Sequence, residues 1–464
     1  MAESRRTPSA HLLIFPYPAQ GHMLPLLDFA HLLSSRGFTI TIVVTPANYP
    51  LLSPLLSKSP SIQTLVLPFP SSSLLPPGIE NAKGLPVPQF AYLFHLLRAL
   101  HDPLLAWIRC QTTPVSTIIS DFFLGWTQPL AVELGIPRIV FSPSGILGSA
   151  VTHSLFRRMP KRPDLNDDDY PVDFPSIPNS PVYPWRQLSR LFRSYVEGDE
   201  VSESLKQNFL WNLESWGIVS NTFRALEGPY LERPIEDLGW KRVWAVGPLA
   251  PKGSAADRGG RNRMSEAEVT TWLDAFPEAS VVYVSFGSQA ALSPPLAATI
   301  AAALEKSGAP FVWAEAQGTA AIPEDLADRT VGRGLVIRGW APQVAILHHP
   351  AVGSFLTHCG WNSVLEAVAA GVAMLTWPLT ADQFVNARLV ENEAPRGVRA
   401  WEGLSSVPDP DELARVVSES LGESGKELRE RVKDLSRKST DAVNQNGSSH
   451  ADLEELVQEL LKLL

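Results

Sequence analysis

Residues 340–383 read WAPQVAILHHPAVGSFLTHCGWNSVLEAVAAGVAMLTWPLTADQ, and they alternate between strand-like and helix-like patterns. An apolar run over residues 352–356 is followed by a polar turn. A second run, over residues 364–370, has apolar residues at helical spacing and stops at Gly371, the usual position of a glycine just past a helix. A third run, over residues 372–377, is short. The pattern predicts a strand, a helix and a second strand.

The turn between the first strand and the helix is a candidate site for a nucleotide phosphate. Backbone N–H groups and the positive end of the helix dipole attract anions at such a position. Asn362 and Ser363 begin the predicted helix, where their side chains can cap it or bind a phosphate oxygen. Glu366 lies one turn further along the face of Asn362, where its carboxylate can accept hydrogen bonds from ribose hydroxyls.

This stretch closely resembles the signature box of plant family-1 UDP-dependent glycosyltransferases that act on small molecules. The match contains no gap and includes many fixed residues at fixed spacing. It consists of Trp340-Ala341-Pro342-Gln343, His358-Cys359-Gly360-Trp361-Asn362-Ser363, Glu366, Gly371, Trp377-Pro378 and Asp382-Gln383. The chain departs from the family at Ala373, where proline is usual, and this position shapes the start of a strand.

The resemblance implies how the box binds a UDP-sugar. Trp340 stacks on uracil and Ala341 offers backbone hydrogen bonds to its edge, while Gln343 and Glu366 hold the ribose. The remaining predicted donor contacts hold the diphosphate and the sugar hydroxyls. The diphosphate contacts are His358, Asn362 and Ser363, the sugar contacts are Trp361, Asp382 and Gln383, and Ser142, Ser288 and Gly360 complete the predicted donor site.

The length of 464 residues suits two domains of about 200 residues each. Residues 250–263, APKGSAADRGGRNR, are small, charged and rich in glycine, which predicts an interdomain linker. The family has the α/β architecture called GT-B, in which two Rossmann-like domains face each other across a cleft. We therefore expect an acceptor-binding domain over residues 1–249 and a UDP-sugar-binding domain over residues 250–448. A helix over residues 449–464 is expected to pack back on the first domain, as in the family.

The N-terminal part also reads as a strand, a helix and a strand that open a parallel sheet. Apolar residues fill 11–16 and 38–44, and helical spacing lies between them. His22 lies in the first connection, and Asp121 directly follows another apolar strand over residues 117–120. Open α/β sheets bind ligands at the carboxyl ends of their strands, so the two side chains can meet there.

His22 and Asp121 are the candidate catalytic residues. A hydroxyl is a poor nucleophile at neutral pH, and histidine titrates in the range that a general base requires. A carboxylate on the far ring nitrogen fixes the tautomer and stabilises the imidazolium. The resemblance supports this assignment, because the family's base lies in the same Gly-His turn and its partner in a Ser-Asp turn. The alternative is a structural role, as a helix cap or as a loop histidine with its hydrogen bonds satisfied.

A metal ion is not expected to neutralise the leaving diphosphate. Asp167 and Asp169 form a D-x-D pair, but they lie within residues 159–186, which we interpret as a long, ordered, proline-rich loop. The N-terminus of the predicted helix at Asn362, together with His358 and Ser288, can stabilise the diphosphate without an ion. We therefore expect no metal and no cofactor besides the donor substrate.

In-line attack by one acceptor oxygen inverts the anomeric carbon, so UDP-glucose is expected to give a β-glucoside. In similar enzymes a glutamine at the position of Gln383 goes with glucose, whereas histidine there goes with galactose or sometimes rhamnose. Candidate residues for an apolar acceptor wall, with ordinary core packing as the alternative, are Tyr17, Phe122, Leu147, Trp185 and Phe192. The opening segment and Arg338-Gly339 look most like the subgroup that includes flavonol glycosyltransferases.

Composition excludes several other classes of protein. A net charge of −9 without a compensating basic stretch argues against a nucleic-acid partner. Two cysteines suit a reducing compartment, and no run of 18 apolar residues predicts a membrane span. The apolar segment near the N-terminus is too short for a signal peptide. We expect a cytoplasmic monomer.

Three other functions remain as alternatives to glucosyl transfer. An NAD-dependent dehydrogenase would need G-x-G-x-x-G after Phe15, and this sequence lacks it. An inactive UDP-sugar-binding protein is disfavoured by the presence of His22 and Asp121. A third alternative is a hydrolase or epimerase on the same fold, and UDP release without an acceptor would reveal hydrolysis. The same transfer reaction could also use UDP-rhamnose or UDP-galactose as the donor.

Overall fold

The computed structural model describes residues 10–83, 85–86, 89–232, 238–240, 242–249, 264–287, 290–315, 322–393 and 395–463. The chain divides into two compact units. The first contains Met1–Ala250 and Ala442–Leu464, and the second contains Pro251–Asp441. The predicted linker over residues 250–263 lies outside the described residues.

The first unit alternates strands with helices along most of its length. Its strands are β1 (His11–Phe15), β2 (Thr39–Val44), β3 (Gln63–Val66), β4 (Val115–Asp121), β5 (Arg138–Ser142), β6 (Pro171–Asp173), β7 (Val182–Pro184), β8 (Gly217–Ser220) and β9 (Val243–Ala245). Its helices before the linker are α1 (Gln20–Ser34), α2 (Ser53–Lys58), α3 (Phe90–Leu97), α4 (His101–Arg109), α5 (Thr127–Leu134), α6 (Ile146–Arg158), α7 (Arg190–Arg193), α8 (Glu200–Leu213) and α9 (Arg224–Leu231).

A seven-stranded sheet in the order β3-β2-β1-β4-β5-β8-β9 forms the centre of this unit, and all its pairings are parallel. The central strands are buried and consist largely of apolar and β-branched residues, as expected for strands covered on both faces. The predicted strand-helix-strand unit at the start of the chain is confirmed. In the register of β1 and β4, Phe15 lies opposite Ser120, so both strands end at the same edge of the sheet.

The second unit contains the helices α10 (Glu266–Leu273), α11 (Pro294–Ser307), α12 (Leu326–Arg329), α13 (Gln343–His348), α14 (Trp361–Ala370), α15 (Gln383–Arg388), α16 (Pro410–Leu421) and α17 (Lys426–Val443). Its strands are β10 (Val281–Ser285), β11 (Phe311–Glu315), β12 (Gly334–Arg338), β13 (Val352–Thr357), β14 (Ala373–Thr376) and β15 (Gly397–Arg399). They form a six-stranded parallel sheet in the order β12-β11-β10-β13-β14-β15. The strand-helix-strand prediction for the signature stretch is confirmed by β13, α14 and β14.

The chain then returns to the first unit through α18 (Ser448–Leu461). The apolar face of α18, with Leu453, Leu456 and Leu460, belongs to the same buried core as β1 and α1. Polar contacts hold the helix as well: the carboxylate of Asp452 accepts hydrogen bonds from the Ala245 N–H and the Arg224 guanidinium, both at 2.9 Å. The first unit therefore includes a segment that is distant from it in sequence.

Two local predictions were wrong in detail. The segment over residues 159–186 was predicted as a loop, but it contains an antiparallel hairpin, β6-β7, in which Val172 pairs with Tyr183. Proline at the strand ends hides this pairing in the sequence. The amphipathic pattern of residues 91–108 predicts a single helix, but the structure has α3 and α4 separated by a 3₁₀ turn. Pro103 lies in the first turn of α4, where proline is tolerated, and this favours a new helix start.

Candidate active site

The first unit brings His22 and Asp121 together at the carboxyl edge of its sheet. Asp121 ends β4, and His22 lies in the first turn of α1, which follows β1. His22 Nδ1 is 3.0 Å from Asp121 Oδ2 and 3.2 Å from Oδ1. The Phe123 N–H donates to Oδ1 at 2.9 Å and fixes the carboxylate. The Asp121 side chain is fully buried, whereas that of His22 is 20% exposed, so the pair has a buried end and an accessible end.

Aromatic rings surround the His22 imidazole. Phe123 stacks on it with a centroid distance of 4.8 Å and an interplanar angle of 25°. Phe122 lies at 5.6 Å, and Tyr17 makes an edge contact at 5.3 Å. The Tyr17 hydroxyl is buried without a hydrogen-bond partner among the described residues, and burial raises its pKa well above the usual value. Phe123 was missed by the sequence analysis, although it follows Asp121 by two positions.

A layer of buried polar groups lies beneath this pair, and the sequence analysis did not identify it. Arg138, at the start of β5, donates to the Asn212 Oδ1 at 2.8 Å. The Asn212 amide donates to the Phe122 carbonyl at 2.6 Å and contacts His153 Nε2 at 3.0 Å. Burial lowers the pKa of Arg138 to about 9 and the pKa of His153 to about 4. Arg138 is therefore charged and His153 neutral near pH 7.

The predicted acceptor wall is brought together only in part. Tyr17 and Phe122 contact His22, as described above. Leu147 is 1% exposed at the start of α6, where its N–H donates to Glu227. Trp185 and Phe192 pack on each other at 5.7 Å, and Phe192 also contacts Phe156. The role of these three residues in acceptor binding stays a prediction.

Ser142, another residue of the predicted donor site, lies at the end of β5 with its side chain fully buried. The hydroxyl contacts Ser149 Oγ at 2.6 Å and donates to the Ser144 carbonyl at 3.1 Å. The hydroxyl thus has partners within the first unit, and its contact with a donor stays a prediction. Ser288, the other predicted serine, lies outside the described residues.

His358 follows β13 and is enclosed by two glycine turns of the second unit. A Cβ atom added at Gly287 or at Gly360 would lie 2.6 Å from His358 Nε2, so only glycine leaves room for the ring at both positions. His358 Nδ1 is buried without a partner among the described residues. Burial lowers the pKa of His358 to about 4, and the ring is neutral at pH 7. A neutral histidine with an unsatisfied buried nitrogen is a candidate ligand contact.

The helix α14 begins immediately after this turn. Gly360 precedes the first residue and has no side chain with which to cap the helix. Trp361 and Ser363 are buried in the first turn, and Asn362 is partly buried. Cys359, which has a positive φ of 63°, is buried, and burial raises the pKa of its thiol. The thiol is thus a packed group, and the helix N-terminus remains as an anion-binding element.

A hydrogen-bond network connects Gln343 and Glu366, the two predicted ribose contacts. The Gln343 amide donates to Glu366 Oε2 at 2.7 Å and to Ser363 Oγ at 3.2 Å. Its carbonyl oxygen accepts from the Tyr283 hydroxyl at 3.1 Å. Tyr283 lies on β10 and was not predicted. These contacts fix the orientation of the Gln343 amide before any ligand binds.

Two further parts of the predicted donor site lie at β12 and at α15. Trp340 and Ala341 follow β12; Trp340 is partly exposed, and Ala341 is 9% exposed. Asp382 and Gln383 lie at the start of α15. The carbonyl oxygen of Gln383 accepts from the N–H groups of residues 379 and 380, at 2.9 and 3.0 Å. Only the amide N–H groups of Gln383 therefore remain for a ligand.

Comparison with known proteins identifies the family. Residues 259–421 match the family model described as UDP-glucoronosyl and UDP-glucosyl transferase. UDP-glycosyltransferase 89B2 of Stevia rebaudiana is 50% identical over 460 residues, which cover 97% of this chain and 98% of that protein.

The chain belongs to the plant family-1 UDP-glycosyltransferases.

Two other members of this glycosyltransferase family are similar over almost their whole length. Flavonol 3-O-glucosyltransferase UGT89B1 of Arabidopsis thaliana is 49% identical and covers 99% of this chain and 98% of its own. The crystal structure of Arabidopsis thaliana UGT89C1 complexed with UDP-L-rhamnose is 36% identical, with a TM-score of 0.81, over 98% of this chain and all of that one. The predicted GT-B fold class is confirmed. The protein is a UDP-glycosyltransferase that transfers a sugar to small acceptors.

The acidic loop of this glycosyltransferase carries ion pairs of its own. Asp169 accepts from Arg186 at 2.7 Å, and Asp168 accepts from Arg162 at 2.6 Å. The carboxylates of Asp168 and Asp169 are more than half exposed. Asp168 and Asp169 thus form ion pairs with arginines at the surface of the protein. Among the described residues, no helix combines the length and the apolar character that a membrane span requires.

Proposed function

We propose that this glycosyltransferase transfers glucose from UDP-glucose to a hydroxyl group of a flavonoid-like phenol and forms a β-O-glucoside. The observation that carries the proposal is the hydrogen bond of 3.0 Å between His22 Nδ1 and the buried Asp121 carboxylate. The name of the relative from Arabidopsis thaliana, a flavonol 3-O-glucosyltransferase, supports both the sugar and the acceptor class.

His22 acts as the general base in this proposal. The Asp121 carboxylate accepts a hydrogen bond from Nδ1–H, so the neutral ring has its lone pair on Nε2. Nε2 takes the proton from the acceptor hydroxyl while the acceptor oxygen bonds to the anomeric carbon. The bond from that carbon to the β-phosphate oxygen breaks, and UDP leaves with the electron pair. Attack on the face opposite to UDP converts an α-linked donor into a β-linked product.

The donor is held by the second unit in this proposal. Trp340 and Ala341 bind uracil, and Gln343 with Glu366 binds ribose. The diphosphate lies at the N-terminus of α14 beside His358, where helix N–H groups and a neutral imidazole stabilise its charge. The reaction is proposed to proceed without a metal. We expect full activity in a chelator, and a loss that Mg²⁺ restores would refute metal independence.

Gln383 is proposed to favour glucose through its amide N–H groups. Its carbonyl oxygen is occupied by two backbone N–H groups, so this side chain selects a sugar by donating hydrogen bonds. Gln383→Glu keeps an oxygen for the backbone contacts and removes the N–H donors. We expect Gln383→Glu to lower, and Gln383→His to shift, the ratio of kcat/KM for UDP-glucose over UDP-galactose. An unchanged ratio in both variants removes Gln383 from sugar selection.

The acceptor is proposed to lie against Phe122, Phe123 and Tyr17. A flat phenolic ring matches these aromatic side chains, which already surround the His22 imidazole. We further propose that the enzyme works as a cytoplasmic monomer. Its two cysteines are unpaired, which suits a reducing compartment. Size-exclusion chromatography with light scattering tests the oligomeric state.

The decisive experiment measures UDP release by the purified protein with UDP-glucose, with and without a panel of flavonols and simple phenols. Acceptor-dependent release, with a product heavier by one hexose, is the expected result. Release without any acceptor indicates a hydrolase instead. Activity only with UDP-rhamnose or UDP-galactose corrects the sugar, and the relative solved with UDP-L-rhamnose makes that donor the first alternative to test. Binding of UDP without any turnover indicates an inactive binding protein.

A further inference from the structure

Arg138 is a buried cation with neutral hydrogen-bond partners. It is 1% exposed. Its Nε donates to Ser120 Oγ at 2.9 Å, and Nη1 donates to Asn212 Oδ1 and Ser215 Oγ, both at 2.8 Å. Nη2 donates to the backbone carbonyl of Asp121 at 3.4 Å. These bonds involve all three nitrogens of the guanidinium but do not balance its charge, and a buried charge is costly without a counter-charge.

Asp121 supplies the counter-charge. Its carboxylate is fully buried, and its own backbone carbonyl accepts a hydrogen bond from Arg138. Attraction to Asp121 raises the pKa of Arg138, although burial is the larger effect and lowers the pKa to about 9. Arg138 therefore stays charged at neutral pH. The Asp121 carboxylate therefore interacts with the charge of Arg138 and also contacts the imidazole of His22 directly, at 3.0 Å.

The other titratable groups that face this cluster are neutral. Tyr17 contacts the His22 ring, and burial, followed by the charge of Asp121, raises the pKa of its hydroxyl well above the usual value. His153, on α6, reaches Arg138 through Asn212, and burial lowers its pKa to about 4. Among the described residues that surround the pair, the net charge is thus set by Arg138, Asp121 and His22.

We propose that Arg138 is a positioning residue that keeps His22 in the neutral form, which can accept a proton. With Arg138 present, neutral His22 leaves the cluster without net charge, and a protonated ring gives it a net positive charge. Without Arg138, neutral His22 leaves a net negative charge, and protonation cancels it. A buried, aromatic environment favours the state with the smaller net charge. Loss of the guanidinium charge therefore shifts the pair towards imidazolium.

The inference rests on the proposed role of His22 as the base and predicts a specific change in the pH profile. Arg138→Met removes the charge and keeps a long side chain, whereas Arg138→Lys keeps the charge and loses the forked donors. In Arg138→Met, the acidic limb of kcat/KM is expected to move to higher pH by about one unit or more. In Arg138→Lys the limb stays near that of the wild type, even if stability falls. Arg138→Gln is the second uncharged variant, for use if Arg138→Met does not fold.

A purely structural role of Arg138 predicts a different pH profile. A purely structural role of Arg138 lowers kcat/KM by the same factor at every pH and leaves the acidic limb in place. An equal shift in Arg138→Lys overturns the inference, and so does an unmoved limb in both uncharged variants when the titration midpoint of His22 is unmoved as well.

NMR titration of the His22 ring separates this inference from the proposed function. The ring signals are assigned by comparison with His22→Gln, and the titration midpoint is compared between wild type, Arg138→Met and Arg138→Lys. A higher midpoint in Arg138→Met alone supports the charge coupling. If the midpoint moves and the rate profile does not follow, the coupling stands and His22 is not the base. An unmoved midpoint overturns the inference whatever the activity.

Discussion

His22 and His358 belong to different units, and both lie near the carboxyl end of a central strand, but their surroundings are opposite. His22 has a carboxylate at 3.0 Å and a side chain that is 20% exposed. His358 has a buried Nδ1 without a partner among the described residues, and burial lowers its pKa to about 4. A histidine that exchanges protons needs a partner for its charged form, whereas one that only forms hydrogen bonds is better kept neutral.

The residues that surround His22 and His358 also differ. His22 packs among aromatic rings that can also contact an organic acceptor. His358 fits between Gly287 and Gly360, where even one methyl group would displace it. The surroundings of His22 thus consist of side chains that can contact an acceptor. The surroundings of His358 depend on close approach of the backbone at two glycines, as in anion-binding turns. Each prediction below tests one side of this contrast.

Replacement of His22 has the largest expected effect. His22→Ala is expected to lower kcat by about 10²–10⁴-fold, because the acceptor hydroxyl loses its base. UDP affinity, measured by calorimetry, is expected to stay near that of the wild type. His31→Ala is the matched control, because His31 lies on the same helix and is exposed, and its ring contacts Ser59 away from Asp121. Full activity of His22→Ala would remove the base from the proposed mechanism.

Acid is expected to destabilise both units through their buried neutral histidines. The unfolded chain protonates His153 and His358 near pH 6.5, whereas the folded units do so only near pH 4. The unfolded state therefore binds more protons between these values, and the free energy of unfolding falls as the pH falls. Each histidine contributes about 3 kcal/mol to this loss on going from neutral pH to pH 4.

Urea denaturation at a series of pH values measures this effect. His358→Gln removes the titrating group from the second unit, and His153→Gln removes it from the first. Each variant is expected to lose stability less steeply between pH 6.5 and 4 than the wild type. An unchanged slope in both variants contradicts the assignment of these histidines as neutral in the folded protein.

The enclosure of His358 predicts a selective loss of donor binding. Gly287→Ala places a methyl group 2.6 Å from His358 Nε2 at a φ of +76°. Gly308→Ala is the matched control, because its φ of +68° imposes similar strain while no atom lies within 4 Å of the added methyl. We expect UDP to bind roughly tenfold more weakly to Gly287→Ala only, a difference of about 1.4 kcal/mol. Equal losses in both variants would attribute the effect to backbone strain.

Tyr283 gives the smallest expected effect. Tyr283→Phe removes the hydroxyl that donates to Gln343 Oε1 at 3.1 Å and leaves the amide less firmly oriented. The loss of one hydrogen bond corresponds to about 1 kcal/mol, or roughly fivefold in the KM for UDP-glucose. The KM for the acceptor serves as the internal control and is expected to stay constant. A change confined to the acceptor would place Tyr283 outside the donor site.

Local patterns in the sequence predict much of the fold. Strands β13 and β14 and the helix α14 between them form where they were predicted, because clear apolar periodicity and flanking turns define them. The hairpin β6-β7 could not be predicted in this way, since its pairing depends on contacts of short, proline-bounded segments with the rest of the unit.

In the candidate site, too, local sequence patterns predict some residues and miss those that depend on contacts between distant elements. His22 and Asp121 are predictable because parallel neighbouring strands end at one edge, and each residue follows such a strand. Arg138, Asn212 and Tyr283 are not, because each acts through a hydrogen bond to a different element of the fold, and no local pattern reports such a contact. The internal bonding of Ser142 and of the Gln383 oxygen also depends on three-dimensional contacts that no spacing rule reports.

The packing of α18 on the first unit has a consequence for synthesis on the ribosome. Leu456 and Leu460 fill the same core as strand β1, but they are translated more than 400 residues after it. The first unit cannot close its core when its own sheet has emerged, so the second unit has the opportunity to fold first. Until α18 has been synthesised, the core of the nascent N-terminal unit lacks the apolar side chains of this helix, and chaperones are expected to engage the unit during that period.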